Sequence, residues 1–168
     1  GDLGESYQLR MPVTEVIGRQ LGQTLQLAAL ALVIAVVLAL AVAVLVRGKV
    51  GRAVAAGVEL VILSSPVFWI GLILLSVFAF GLGWFPVSGA RNPATIVLPA
   101  LTLALPVAAL LGQVLRDGLV QAERMPFAET VRARGVSAGW FTLRHGLRHG
   151  AAGAVTLTAY LTGSVLGG

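Results

Sequence analysis

The sequence predicts an all-α protein, a polytopic bundle of helices that cross a membrane. Three observations lead there. The first is composition: 57% of residues are hydrophobic and only 11% are charged, where a soluble domain carries about 25% charged residues. A water-soluble fold of 168 residues has no interior large enough to hide so much apolar side chain. The second is the presence of long apolar runs separated by polar segments. In lipid every backbone N–H and C=O must be satisfied internally, so each run is expected to be an α-helix. The third is the placement of arginine and lysine, which alternates between connectors as membrane orientation requires.

The first run lies between Arg19 and Arg47, with no charge in between. Its core, "LQLAALALVIAVVLALAVAVLV" at 25–46, has about the length needed to cross about 30 Å of hydrocarbon at about 1.5 Å per residue. A second span is expected at about 58–80, in a stretch uncharged from 60 to 90. The third, "TIVLPALTLALPVAALLGQVL" at 95–115, contains Pro99 and Pro106. Each proline frees a carbonyl and bends a helix, so this span is expected to face the bundle rather than the lipid. The fourth, 150–168, has 19 residues, barely one crossing. The chain starts at Gly1 and stops inside an apolar run, so it is expected to be part of a longer chain.

The connector 47–52 has three basic residues and no acid, whereas 81–94 has only Arg91. The connector 116–149 has six arginines (116, 124, 132, 134, 144 and 148) against three acids (117, 123 and 129). The N-terminal segment has Arg10 and Arg19 against Asp2, Glu5 and Glu15. Basic-rich connectors stay on the cytoplasmic side. The N-terminal segment is therefore expected outside, 47–52 inside, 81–94 outside and 116–149 inside.

Smaller features fit this frame. "GWFPVSG" at 83–89 puts aromatic residues at the outer boundary, where Trp is favoured. Pro12 followed by Val13, Val16, Ile17 and Leu21 has helical spacing and suggests a short amphipathic helix on the outer surface before the first span. Glu59 sits just inside the start of the second span. It is either an ion-pathway carboxylate or a partner for Arg52 or a neighbouring basic group.

No catalytic constellation emerges. The absence of cysteine excludes disulfides, thiolate metal sites and a Cys nucleophile. His145 and His149 share a helical face, but Gly146 stands where an HExxH zinc site needs Glu, so no metal is expected. Ser64 and Ser65 precede Pro66 within a span, and the spans hold no His or Lys to activate them. They read as packing or pathway groups. With no P-loop and no GxGxxG, any ATP used must be bound by a partner.

The connector 116–149 is longer than a link requires. "PFAETVRARG" opens with Pro126, suited to a first helical turn. Glu129 comes early and Arg132 and Arg134 late, which complements the helix dipole. Gly135 follows where a left-handed stop is expected. The order predicts a short cytoplasmic helix capped by Gly135, then a second helix, "WFTLRHGLRHG", feeding the fourth span. It is either a basic loop that fixes topology or a docking helix for a cytoplasmic partner. So short a helix is not stable alone, which favours docking.

These residues resemble the permease subunits of bacterial ABC importers, in the dipeptide, oligopeptide and nickel branch, over essentially the whole chain. "GDLGESY" is similar to that branch's outer-loop motif, "SSPVFWIGLILL" to its second-span pattern, and "LGWFPVSG" and "LPALTLALPVAAL" to family phrases. "ETVRARG", followed ten residues later by "HGLRHG", resembles the family's EAA motif. The resemblance implies the type I permease fold. Family chains have six spans, of which this piece would hold the second to the fifth. The EAA motif forms a coupling helix seated in a groove of the ATP-binding subunit. The matching positions are Glu129, Thr130, Val131, Arg132, Ala133, Arg134 and Gly135. Only Glu129 of the first three fits the general consensus, and Val131 replaces a usual alanine, which loosens close packing. The later consensus reduces here to His145, Leu147 and Arg148.

The resemblance therefore implies a multi-pass permease subunit of the cytoplasmic (inner) membrane of a bacterium or archaeon, importing peptides or similar solutes by alternating access. Its implied partners are cytoplasmic ATP-binding subunits, a second permease subunit, identical or different, an extracytoplasmic solute-binding protein and membrane lipid, with no nucleic acid. It is expected to bind no cofactor itself, ATP being used by the partners, and to catalyse no reaction. Ser65, Pro66, Pro99 and Pro106 are candidates for lining or gating the pathway. Peptides, nickel chelates, glutathione and some sugars are all carried by this branch. The alternatives are a membrane-embedded protease or lipid-modifying enzyme, which needs a dyad or metal set, and a membrane scaffold.

Overall fold

A computed structural model describes residues 4, 10–46, 48–87, 93–126, 128, 131, 135, 138–141, 148, 153–157, 159 and 163. Its regular elements are all helical, as expected of a membrane permease. They are α1 (Val13–Leu45), α2 (Gly48–Ser64), α3 (Val67–Leu74) with a wider π-helical continuation (Leu75–Gly81), a 3₁₀ turn (Pro93–Ile96), α4 (Val97–Arg124) and α5 (Ala138–Phe141). Two helical runs, α1 and Pro93–Arg124, are each long and apolar enough to cross a membrane. α2 and α3 make a third if the bent pair forms one span. Most of the expected fourth span lies outside the described residues. Its described start, 153–157, is helical and packs Ala154 and Leu157 on the core.

α1 starts directly after Pro12, with Glu15 in its first turn, where a carboxylate favours the helix N-terminus. The separate amphipathic helix expected before the first span does not form. Those residues belong to α1, which runs unbroken for 33 residues. Nothing in that stretch stops it: it has no proline, and Gly18 and Gly22 each cost only about 1 kcal/mol relative to alanine. The helix is about 50 Å long at about 1.5 Å per residue, so its polar N-terminal turns extend beyond about 30 Å of hydrocarbon.

The core is the seam between α1 and α4. Ala31, Ala35, Ala39 and Ala43 recur every fourth residue and are all buried. They form one stripe on α1, packed against Ala100, Ala104, Ala108, Leu111 and Leu115 of α4. Lipid is as apolar as leucine, so membrane helices associate by close contact, and small residues permit it. Ala35 and Ala104 are wholly buried. Ala104→Leu is expected to cost about 1–3 kcal/mol by overpacking, read as a lower unfolding midpoint in mixed micelles. Large apolar side chains such as Val33, Val37, Phe68 and Phe80 point outward, towards lipid or partner helices.

The second apolar run, expected to span at 58–80, is a bent pair of helices. It bends by 108° between Ser64 and Val67. Pro66 has no N–H to give Ile62, so the Ser65 N–H moves one residue along and bonds the Ile62 carbonyl at 3.2 Å. The Val61 carbonyl this vacates accepts the Ser65 hydroxyl at 2.7 Å. Both orphaned carbonyls are thereby satisfied, as a low-dielectric setting demands. Pro66 itself is extended, with φ −59° and ψ 137°. Its carbonyl accepts the Trp69 and Ile70 N–H groups, and α3 leaves in a new direction. The run closes at the aromatic boundary, where Trp84 stacks obliquely on Phe78 with ring centroids 5.8 Å apart.

Candidate functional site

Two buried charges meet where α2 packs on the second half of α4. Glu59 and Arg116 are the two charged side chains buried there. The two guanidinium nitrogens of Arg116 donate to the two carboxylate oxygens of Glu59, a bidentate ion pair 57 residues apart in sequence. Such a fork fixes orientation as well as distance. Glu59 thus has a basic partner, and that partner is Arg116 rather than Arg52. A buried charge pair in this setting persists only when both ions are fully hydrogen-bonded.

Gly112, one turn before Arg116, makes the room. A Cβ at this position would lie 3.1 Å from Glu59 Oε1, 3.4 Å from Arg116 Nη1 and 3.9 Å from Ala39 Cα. The pair therefore sits against the bare backbone of α4, beside the alanine stripe of α1. Beside it, α1, α2 and α4 line an open-sided cavity of about 510 Å³. Val42, Val54, Val58 and Leu105 line it, and Glu59 is its charged lining residue. With that carboxylate committed to Arg116, the cavity wall is apolar.

The proline candidates fall at three different places. Ser65 and Pro66 form the break just described. Pro99 is exposed and lies in the first turn of α4, where N–H groups have no intrahelical acceptor in any case. The bend expected there is not needed. Pro106 lies inside α4, half-buried, and the helix continues through it to Arg124. It withholds a donor from the carbonyl four residues back, that of Thr102. Thr102 bonds its hydroxyl to the Leu98 carbonyl at 2.8 Å and turns its methyl towards α3, 3.2 Å from where a Gly71 Cβ would stand. The arm beyond the break thus meets α4 at Thr102, and the arm before it meets α4 at Arg116.

α4 ends just before the segment that resembles the EAA motif. It ends at Met125, whose backbone is extended at φ −76° and ψ 147°. Pro126 is helical, Ala128 is completely buried, and the Ala128 N–H bonds the Met125 carbonyl at 2.9 Å. Val131 is helical and half-buried. Gly135 is exposed in a turn with φ +75°, the left-handed conformation that ends helices and that glycine adopts without strain. Glu129, Thr130, Arg132, Ala133 and Arg134 lie outside the described residues, as do His145, Leu147 and His149. Arg148 is helical and exposed.

Sequence reasoning missed Arg116 and Gly112 as members of one site. The available signal was weak: Glu59 is the lone charge between Arg52 and Arg91, which marks it as needing a partner without saying which.

Comparison with known proteins adds an independent line. Residues 31–168 match the family described as binding-protein-dependent transport system inner membrane component. The whole chain is 34% identical to the glutathione transport system permease protein GsiC of Escherichia coli O6:H1. It is 33% identical to the proteins of the same name from Salmonella choleraesuis and Escherichia coli K12. In each case the match covers all of this chain and 56% of the relative, so the chain spans little more than half the length of the relatives it matches.

Proposed function

The chain belongs to the family of binding-protein-dependent transport system inner membrane components, and from that premise we propose that it forms part of the permease of an ATP-driven importer of small peptides such as glutathione. The observation that carries the substrate class is the similarity to glutathione permeases along the full chain. In this reading the chain holds no ATP and has no catalytic site. Two cytoplasmic ATP-binding subunits, a second permease chain and an extracytoplasmic solute-binding protein complete the transporter in a bacterial or archaeal inner membrane. Closure of the ATP-binding subunits on ATP moves the coupling helices, and the spans rearrange to expose the pathway outward. ATP can shift that equilibrium only by favouring one arrangement over the other.

Glu129 to Gly135 is the segment that docks on the ATP-binding subunit. Its supports are the EAA-like pattern, the left-handed Gly135 and Ala128, buried just beyond the end of α4. Co-expression of the complete permease with its ATP-binding subunits tests this. The ATP-binding subunits are expected to co-purify with the wild type, which takes up labelled glutathione into proteoliposomes when ATP and the solute-binding protein are supplied. Glu129→Lys with Gly135→Val is expected to weaken that association at least about tenfold, a loss of about 1.4 kcal/mol. Equal retention by the variant excludes the docking role, and ATP-dependent uptake of another solute but not glutathione excludes the substrate.

A further inference from the structure

We propose that Glu59 and Arg116 are positioning residues that tie the bent second run to α4, so that flexing of α4 at Pro106 changes the angle at Ser65–Pro66. The proposal rests on the coupling reading above and names the path by which movement of the coupling segment reaches the spans.

Three observations carry it. First, Glu59 is the one buried residue of α2. The rest of that helix is largely exposed, Val54, Val58 and Val61 among it. Among the described residues, the bidentate ion pair is the buried charged contact that ties α2 to α4. Second, the two arms of the bent run grip α4 on opposite sides of Pro106. α2 holds it at Arg116, and α3 holds it through Gly71 against Thr102. The two grips are 14 residues apart along α4, roughly 21 Å at the rise of an α-helix. Pro106 interrupts the hydrogen-bond ladder between them, which is where helices bend. Third, Arg116 lies about two turns before Met125, where the coupling segment starts, with uninterrupted helix between.

The mechanics follow. A displacement at Met125 swings the cytoplasmic half of α4 as a rigid rod about Pro106. The outer half stays packed on α1 and, through Thr102, on α3, while Leu111, Leu115 and Leu119 shift along the Ala39–Ala43 stretch of α1. Arg116 carries Glu59 with it, because a guanidinium–carboxylate fork resists both rotation and separation. α2 then turns relative to α3, and the break already present at Ser65–Pro66 takes up the change without losing further hydrogen bonds. Gly112 belongs to the device, since a side chain larger than alanine there would pry the fork from the backbone.

The chain contains no cysteine, so spin labels can be placed singly and read by pulsed electron resonance. The assembled transporter in nanodiscs is labelled in this chain alone, either at Val54→Cys and Gln121→Cys, across the tie, or at Val54→Cys and Phe80→Cys, across the break. Both are compared without nucleotide and after trapping with ATP and vanadate. In the otherwise wild-type chain the tie distance is expected to stay single and narrow in both states, while the distance across the break shifts on trapping. In Glu59→Gln the tie distance is expected to lose its narrow distribution and the break to stop responding. Glu59→Arg with Arg116→Glu restores both. A break that responds equally in Glu59→Gln overturns the proposal. So does a tie distance that changes on trapping without that substitution. If the ATP-binding subunits do not assemble at all, the coupling reading fails. The tie distance in the permease alone, with and without Glu59→Gln, still decides whether the fork anchors α2: an unchanged narrow distribution in the variant overturns it.

Discussion

Arg116→Leu is expected to lower the stability of the folded protein by about 3–5 kcal/mol, the usual cost of removing one partner of a buried ion pair. The loss comes less from the missing attraction than from what remains. The Glu59 side chain is 9% exposed, and its charge-assisted partners are the Arg116 nitrogens. Leucine offers no donor, and the neighbouring walls of Val42, Val54 and Val58 offer none either. Arg116→Lys is expected to fall between, since an ammonium satisfies the charge but not both oxygens in one plane. The informative control removes both charges. Glu59→Leu with Arg116→Met leaves no orphaned ion, and such replacements are commonly neutral or stabilising by about 1–4 kcal/mol. Reversible unfolding in mixed micelles checks the series. A single variant as stable as the wild type shows that water or another group reaches Glu59. The double variant also separates two roles of the pair. If the ions only hold α2 in place, apolar packing replaces them and transport survives. If the fork transmits motion, stability survives and ATP-driven uptake is lost.

Gly112→Val is expected to be almost as damaging, about 2–5 kcal/mol, because it overpacks the seam and displaces the ion pair together. The first added carbon already stands 3.1 Å from Glu59 Oε1. That contact alone can yield by a small rotation of a flexible carboxylate, so Gly112→Ala is expected to be mild. The γ carbons of valine then have the Arg116 guanidinium on one side and the α1 backbone at Ala39 on the other. The prediction has an internal check. Residues in contact do not contribute additively. In a chain that already carries Glu59→Leu and Arg116→Met, the valine meets no ion pair and its cost is expected to fall. An equal cost in both backgrounds assigns the damage to the contact with α1 rather than to the fork.

Much of the site was legible one residue at a time and little of it as a site. Pro66 was legible as a candidate for the pathway inside the span expected at 58–80. The angle of 108° was not announced, since it depends on Ser65 supplying its N–H to one orphaned carbonyl and its hydroxyl to the other. Pro99 and Pro106 read alike in sequence, but the start of α4 at Val97 makes the first harmless and leaves the second inside the helix. Pro12 and the apolar spacing after it suggested a separate surface helix. The structure joins it to the first span because nothing between them interrupts the ladder. Gly135 was legible as a stop, and its φ of +75° matches that reading, because a left-handed residue closing a helix is again a local requirement.

The sequence by itself determined that this chain lives in a membrane, that it is helical and which family it joins. Those properties follow from sums over consecutive residues: hydropathy against the thickness of a bilayer, and short motifs read in order. Only the tertiary structure decided that Glu59 belongs to Arg116, that Gly112 is bare to admit them, and that one bent run holds α4 on both sides of a proline. Those facts depend on which helix faces cross. An alanine stripe on α1 sets how closely α4 can approach, and that approach brings a carboxylate and a guanidinium 57 residues apart into one buried plane.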